Sequence, residues 1–198
     1  ITALLARVYM WEKEYKKAFD AAESVIKASY NDRDLFEFTN HTELQTDMKD
    51  SQSLIFVASE TLLEKNFKPY TLSDSKNKFL FEGAKVFEQS QEDQRGSTSM
   101  LGTVNGVQYS NKYLIEEKTD GYDMIPVLRL SEMYYIMAEY YARNSNFGEA
   151  GKALDVVRVA RGIISKPSNI LSLEGFYTEM LKEVRKELIG EGQLYFQY

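Results

Sequence analysis

Two stretches 132 positions apart carry one pattern of small, aromatic and aliphatic residues, and this constrains the chain more than anything else in it. When LLARVYMWEKEYKKAFDAAESVI (4–26) is set over IMAEYYARNSNFGEAGKALDVVR (136–158), Leu5 falls on Met137, Ala6 on Ala138 and Tyr9 on Tyr141. Further along, Tyr15 falls on Phe147, Ala18 on Ala150, Ala22 on Leu154 and Val25 on Val157. Apolar residues recur at helical period on both sides of a short polar break, the signature of two antiparallel helices joined by a turn. The alanines let the two helices approach closely, and the aromatics fill the space at the turn end. The same phase settles the tyrosines of RLSEMYYIMAEYYARNSNFGEA (129–150): Tyr134 and Tyr141 fall with Ala138 on a packing face and read as scaffold.

Such units resemble tetratricopeptide hairpins, which repeat every ~34 residues in a continuous array. Here a different kind of sequence stands between them. SLIFVAS (Ser53–Ser59) reads as a buried strand, and residues 60–125 hold five glycines among many Ser, Asn and Asp. Long loops of that composition in a compact domain are usually functional. In the second hairpin Asn146 and Glu149 have capping-box spacing, Gly162 is a stop, and Pro126 suits a helix start. After the connector KPSN, a last helix is expected over Leu173–Ile189, with Phe176, Met180, Leu181, Val184 and Leu188 on its apolar face. Lys182, Glu183, Arg185, Lys186 and Glu187 are expected to form a charged, solvated surface. The expected fold is mainly α: a helical hairpin over 1–30, a loop-rich segment with short strands over 31–125, and a hairpin plus C-terminal helix over 126–198. The opening ITALLARVYMWEKEY, already in helical period, and the stop at QLYFQY suggest a piece of a longer protein.

Chemistry-bearing patterns are few. The net charge of −6 argues against a nucleic-acid partner. With no cysteine there is no disulfide, no thiolate nucleophile and no thiolate metal site. His41, the single histidine, cannot build a zinc site alone. Asn31–Asp34 lacks the glycine and distal glutamate of a calcium loop and reads as turn chemistry. Glu183, Glu187 and Glu191 are spaced by four, and paired carboxylates are what glycoside hydrolysis needs. Neighbours on one helix point the same way, however, so ion pairs with Lys186, Arg185, Arg158 or Arg161 are the simpler reading. Asp93 and Arg95 are read as a local ion pair that fixes a loop. No catalytic residue, metal or cofactor is assigned, and no enzyme is expected.

The pieces form an ordered set: ALLARVYMWEKEYKKAFDAAESVI, SLIFVAS, the D-x-R of Asp93 and Arg95, Lys112-Tyr113, PVLRLSEMYYIMAEYYA, ALDVVRVARGI and VRKELIGEGQLYF. In that order and at those distances the chain resembles the SusD/RagB family of surface glycan-binding lipoproteins. The resemblance implies a helical scaffold carrying a loop-rich ligand-binding half, and an outward-facing place on the outer membrane through a lipid anchor outside this sequence. It also implies a SusC-like TonB-dependent transporter as partner, and binding of oligosaccharides without cleavage. The family's usual Glu-Arg in the last motif is Val184-Arg185 here. No motif transfers sugar contacts by position, so candidates rest on chemistry: an aromatic to stack on a sugar ring and planar polar groups for its hydroxyls. Phe67, Lys68, Tyr70, Asn105 and Tyr109 in the loop-rich segment qualify. Two other readings stand beside this one, a tetratricopeptide-type adaptor binding a peptide in a helical groove and a hydrolase using acidic residues. The long gap between the hairpins argues against the adaptor.

Overall fold

The structure, a computed structural model, describes residues 1–31, 36–39, 53–58, 80–81, 83–87, 92–98, 100–112, 125–164, 168–191 and 193. The first hairpin is α1 (Thr2–Trp11) and α2 (Tyr15–Asn31). The second is α4 (Leu130–Arg143) and α5 (Phe147–Ala160). Their turns repeat bond for bond. Glu14 N donates to Tyr9 O at 2.8 Å and Lys13 N to Met10 O at 3.0 Å; in the second copy Asn146 N donates to Tyr141 O at 2.9 Å and Ser145 N to Ala142 O at 2.9 Å. Both are Schellman ends, in which the residue past the helix turns left-handed so that the last carbonyls find donors. That residue is Lys13 (φ 61°) in one and Ser145 (φ 59°) in the other.

Although distant in sequence, the hairpins are neighbours in space, with α2 packed along α4. The seam needs small residues, and Ala6, Ala18, Ala22, Ala138 and Ala150 are all fully buried. Phe19 closes the turn end against Tyr140 and Tyr141, with ring centroids 4.5 and 5.2 Å away. The loop-rich segment is thus an insertion between two adjoining repeats. A last helix, α6 (Leu173–Glu187), capped by Ser172 Oγ on Gly175 N at 3.0 Å, packs on α4 and α5. Its expected apolar face is largely confirmed: Phe176, Met180, Val184 and Leu188 are buried.

The insertion contributes β1 (Leu54–Ala58), β2 (Leu80–Phe81), α3 (Gly83–Phe87), a 3-10 turn (Gln94–Gly96), β3 (Leu101–Val104) and β4 (Val107–Ser110); β5 (Ile125–Arg129) leads into α4. β1 pairs antiparallel with β5, Leu54 opposite Arg129 and Val57 opposite Pro126, and a second sheet has the order β2-β4-β3. Two expectations are corrected. Pro126 does not start a helix; it lies in β5, which has one hydrogen-bonded neighbour among the described residues, so a residue without an N–H is tolerated. The polar side of α6 is not a solvated surface either: Glu183, Lys186 and Glu187 are 1%, 5% and 3% exposed. Cations from other elements meet them there, which a single helix's periodicity does not reveal.

Candidate functional site

β3 and β4 form a tight hairpin whose turn is Asn105-Gly106, with φ of 51° and 80°. Left-handed conformation at both central positions is the turn that matches strand twist, and Asn-Gly is the pair that adopts it most readily. Asn105 is therefore exposed at the hairpin tip. Tyr109 stands opposite Gly102 in the ladder, and its ring lies over that glycine: a Cβ at position 102 would come within 2.1 Å of the ring's Cζ. The missing side chain gives the half-buried ring its seat. The structure thus brings two of the five sugar-contact candidates, Asn105 and Tyr109, onto one hairpin. Phe67, Lys68 and Tyr70 lie outside the described residues, as do His41 and Asp32–Asp34.

Behind the hairpin is a buried charge network. Arg95 Nε and Nη2 donate to the two oxygens of Asp93, each at 2.8 Å, the local pair expected from the sequence. Arg95 also reaches Glu183 Oε2 (2.8 Å) and Glu187 Oε2 (3.2 Å) on α6. Glu183 further takes Arg158 and Lys186, both at 3.3 Å. Glu187 is gripped by Arg161 through Nε (3.0 Å) and Nη2 (2.6 Å). One turn beyond, Glu191 accepts from Arg129 Nη2 at 2.5 Å and Lys112 Nζ at 2.6 Å, and Lys112 also donates to the Glu187 carbonyl at 2.7 Å. Of the partners expected for the three glutamates, Lys186, Arg158 and Arg161 are present; Arg185 is exposed.

Reading the sequence alone missed the roles of Arg95, Arg129 and Lys112 toward α6. One signal was there: Arg129 interrupts the apolar run PVLRL, where a cation is tolerated only if a carboxylate meets it.

Electrostatics follow from this packing. Burial works to raise the Glu187 carboxyl, but Arg161 and Arg95 outweigh it and hold the group well below the usual carboxylate range. Asp93 and Glu183 are likewise lowered, burial being overcome chiefly by Arg95. Burial lowers the Lys112 ammonium in spite of Glu191. Burial raises Glu132 against the pull of Arg7, and it raises the phenol of Tyr135 well above its ordinary value with Glu187 and Glu183 adding to the effect. Carboxylates shut away and saturated by guanidinium groups are poor proton shuttles, and they do not face one another across a cleft. Among the described residues no group of three or more His, Cys, Asp or Glu is placed to hold a metal ion. No helix among them is long and apolar enough to cross a membrane.

Elsewhere a groove of about 410 Å³, lined by residues of α1, α4 and α6 and by the turn and first residue of the α1–α2 hairpin, has Trp11, Tyr15, Glu139 and Arg143 in its wall. Four of its charged side chains pair with each other: Arg143 holds Glu139 at 2.7 Å and lies 3.9 Å over the Tyr15 ring, while Arg7 holds Glu132 at 2.5 Å.

Comparison with known proteins places this geometry. The SusD family model matches residues 10–198. Among solved structures, a SusD superfamily protein from Bacteroides thetaiotaomicron is 25% identical with a TM-score of 0.71, covering 100% of this chain and 48% of its own. A protein from Bacteroides vulgatus described as a putative sugar binding protein is 24% identical with a TM-score of 0.76, covering 98% and 45%. Surface glycan-binding protein A from Bacteroides uniformis is 18% identical with a TM-score of 0.67, covering 98% and 47%. The chain spans about half the length of these structures. No curated protein matches it.

Proposed function

This chain belongs to the SusD family, and from that premise we propose that it is part of a non-enzymatic surface protein that binds oligosaccharide or polysaccharide for nutrient uptake. In this reading the protein sits on the outer face of the outer membrane through a lipid anchor and hands its glycan to a SusC-like TonB-dependent transporter. The observation that carries the reading is the family match over residues 10–198. Two of the structural relatives, one described as a putative sugar binding protein and one as a surface glycan-binding protein, support it.

The chemistry of the insertion is compatible. A tyrosine ring seated on Gly102 is oriented before any ligand arrives, and an apolar sugar face stacks best on such a fixed ring. Asn105, exposed at the hairpin tip, offers an amide that both donates to and accepts from hydroxyls. Phe67, Lys68 and Tyr70 complete the proposed contact set, within the proposed binding part over 31–125. Absence of cleavage is supported by Glu183, Glu187 and Glu191, the carboxylates with the most suggestive spacing, each being tied up by arginine.

The test is retention of the full-length protein on affinity gels cast with soluble polysaccharides, followed by a reducing-sugar assay on any that retain it. Retention without sugar release, weakened about fivefold or more by Tyr109→Ala given stacking worth ~1 kcal/mol or more, is the expected result. Release of reducing ends would sink the non-enzymatic reading. Failure on every glycan, with capture of a peptide in its place, would favour an adaptor.

A further inference from the structure

We infer that Arg95 and Lys112 are positioning residues: they clamp the two roots of the β3–β4 hairpin onto three successive carboxylates at the C-terminal end of the chain, and so fix Asn105 and Tyr109 relative to the helical frame. The inference rests on the binding reading only for its functional consequence; the clamp is a property of the protein without ligand.

Arg95 precedes β3 by six residues and Lys112 follows β4 by two. Both reach the same side of α6 and its extension, where glutamates stand one turn apart. Each glutamate joins a cation from a hairpin root to a cation from the frame. Glu183 takes Arg95 and, from α5, Arg158. Glu187 takes Arg95 and Arg161, which caps α5. Glu191 takes Lys112 and Arg129, the residue that ends β5 and caps α4. Three equivalent bridges in register are more than a local ion pair needs.

A further stitch holds the entry root: Gln94 N donates to Arg161 O at 2.9 Å, beside Gly162, whose absent side chain leaves room for Glu92 O. Beyond the ladder that joins β4 to β2, the hairpin's own apolar burial is slight. Leu101 is its one buried hydrophobic residue, Val107 is 37% exposed, and its tip is in solvent. The hairpin's own apolar burial is thus too slight to set its angle to the frame, whereas directional, charge-assisted hydrogen bonds at both roots can. The sharing also explains why a lysine serves at the exit. Lys112 Nζ bonds two acceptors in different directions, the Glu191 carboxylate and the Glu187 carbonyl, which an ammonium meets more readily than a planar guanidinium.

The experiment is amide hydrogen exchange on the full-length protein with Lys112→Met, which removes the exit clamp but leaves Glu191 paired with Arg129. Exchange over residues 101–110 is expected to quicken by roughly tenfold or more, the factor for losing one hydrogen bond to a charged group, with α4 and α5 changing less than about twofold. Lys112→Arg, which keeps a donor cation, is expected to recover much of the protection. An unchanged rate over 101–110 in folded Lys112→Met overturns the inference. Should that variant fail to fold, Arg95→Lys takes its place: it keeps the charge but loses the fork that spans Asp93, Glu183 and Glu187, and unchanged exchange there overturns the inference equally. The same proteins are then run on gels cast with soluble starch, mixed-linkage β-glucan or arabinoxylan. Quickened exchange with weakened retention supports both readings. A parent protein that none of the gels retains counts against the binding reading and leaves the exchange result to judge the clamp.

Discussion

Glu187→Gln probes the charge network at its most shared point. The substitution keeps the volume of the side chain, so no cavity opens, and it keeps one acceptor oxygen; what it removes is the negative charge. That charge compensates two guanidinium groups at once: Arg161, 2% exposed and bound at 2.6 and 3.0 Å, and Arg95, 5% exposed and bound at 3.2 Å. An exposed ion pair is worth at most ~1 kcal/mol, because water solvates the charges nearly as well as they solvate each other. A buried pair broken from one side is different, since the surviving charge stays desolvated without its counter-charge, and the typical loss is about 3–5 kcal/mol. For a domain of this size each kcal/mol lowers Tm by ~2–4 °C, so a drop of about 6–20 °C is expected. Thermal and urea unfolding followed by circular dichroism measure it, with Lys152→Gln as the control. Lys152 pairs with Glu149 on the surface, and the control should unfold with the parent. A double variant, Glu187→Gln with Arg161→Gln, should lose less than the sum of its single changes, because the second removes the charge that the first left stranded. A Tm change below about 3 °C for Glu187→Gln, or strict additivity in the double variant, would refute the claim that the network holds the fold.

Three further outcomes follow from the same geometry. Asp93, Glu183 and Glu187 have folded values below their ordinary 3.8 and 4.5. Their contribution to stability is therefore complete above about pH 5 and lost as pH falls through the lowered values, while Glu132, held above its ordinary value, acts in the opposite sense as one group against three; Tm measured from pH 7 down to pH 3 should be flat and then fall. Gly162→Ala should destabilise by about 1–3 kcal/mol in urea unfolding, because φ at 162 is +92° and the new Cβ would meet the backbone oxygen of Glu92 at 2.6 Å. Gly102→Ala should leave Tm nearly unchanged yet weaken polysaccharide retention as Tyr109→Ala does, since the added methyl meets the movable end of the Tyr109 ring and displaces it; unaltered retention would remove Tyr109 from the site.

The helical frame was legible because its cause is local and repeated. Ala6, Ala18, Ala138 and Ala150 announce a close helix seam, and Tyr9, Tyr15, Tyr141 and Phe147 mark its turn end, all within two windows of 23 residues. The turns themselves were not legible in conformation: Lys13 and Ser145 take the left-handed position usually given to glycine, and only their equal placement in the two copies shows that the hairpin geometry imposes it. Pro126 was misread because proline suits the first turn of a helix and a one-sided strand equally well, and β1, the strand that decides between them, lies about seventy residues earlier.

The polar side of α6 shows most clearly where reading by period stops. Periodicity locates the positions that avoid water, and it assigns every charged position to solvent by default. Glu183, Glu187 and Glu191 escape that rule because cations distant in sequence desolvate with them: Arg95 lies 88 residues from Glu183, and Arg129 lies 62 from Glu191. The information was present but divided, half in glutamates at spacing four and half in lone cations set in D-x-R and PVLRL. A row of three carboxylates for which its own helix supplies only Lys186, in a chain that sets Arg129 within the apolar run PVLRL, is itself a prediction of long-range pairing, since neither set can be buried without the other.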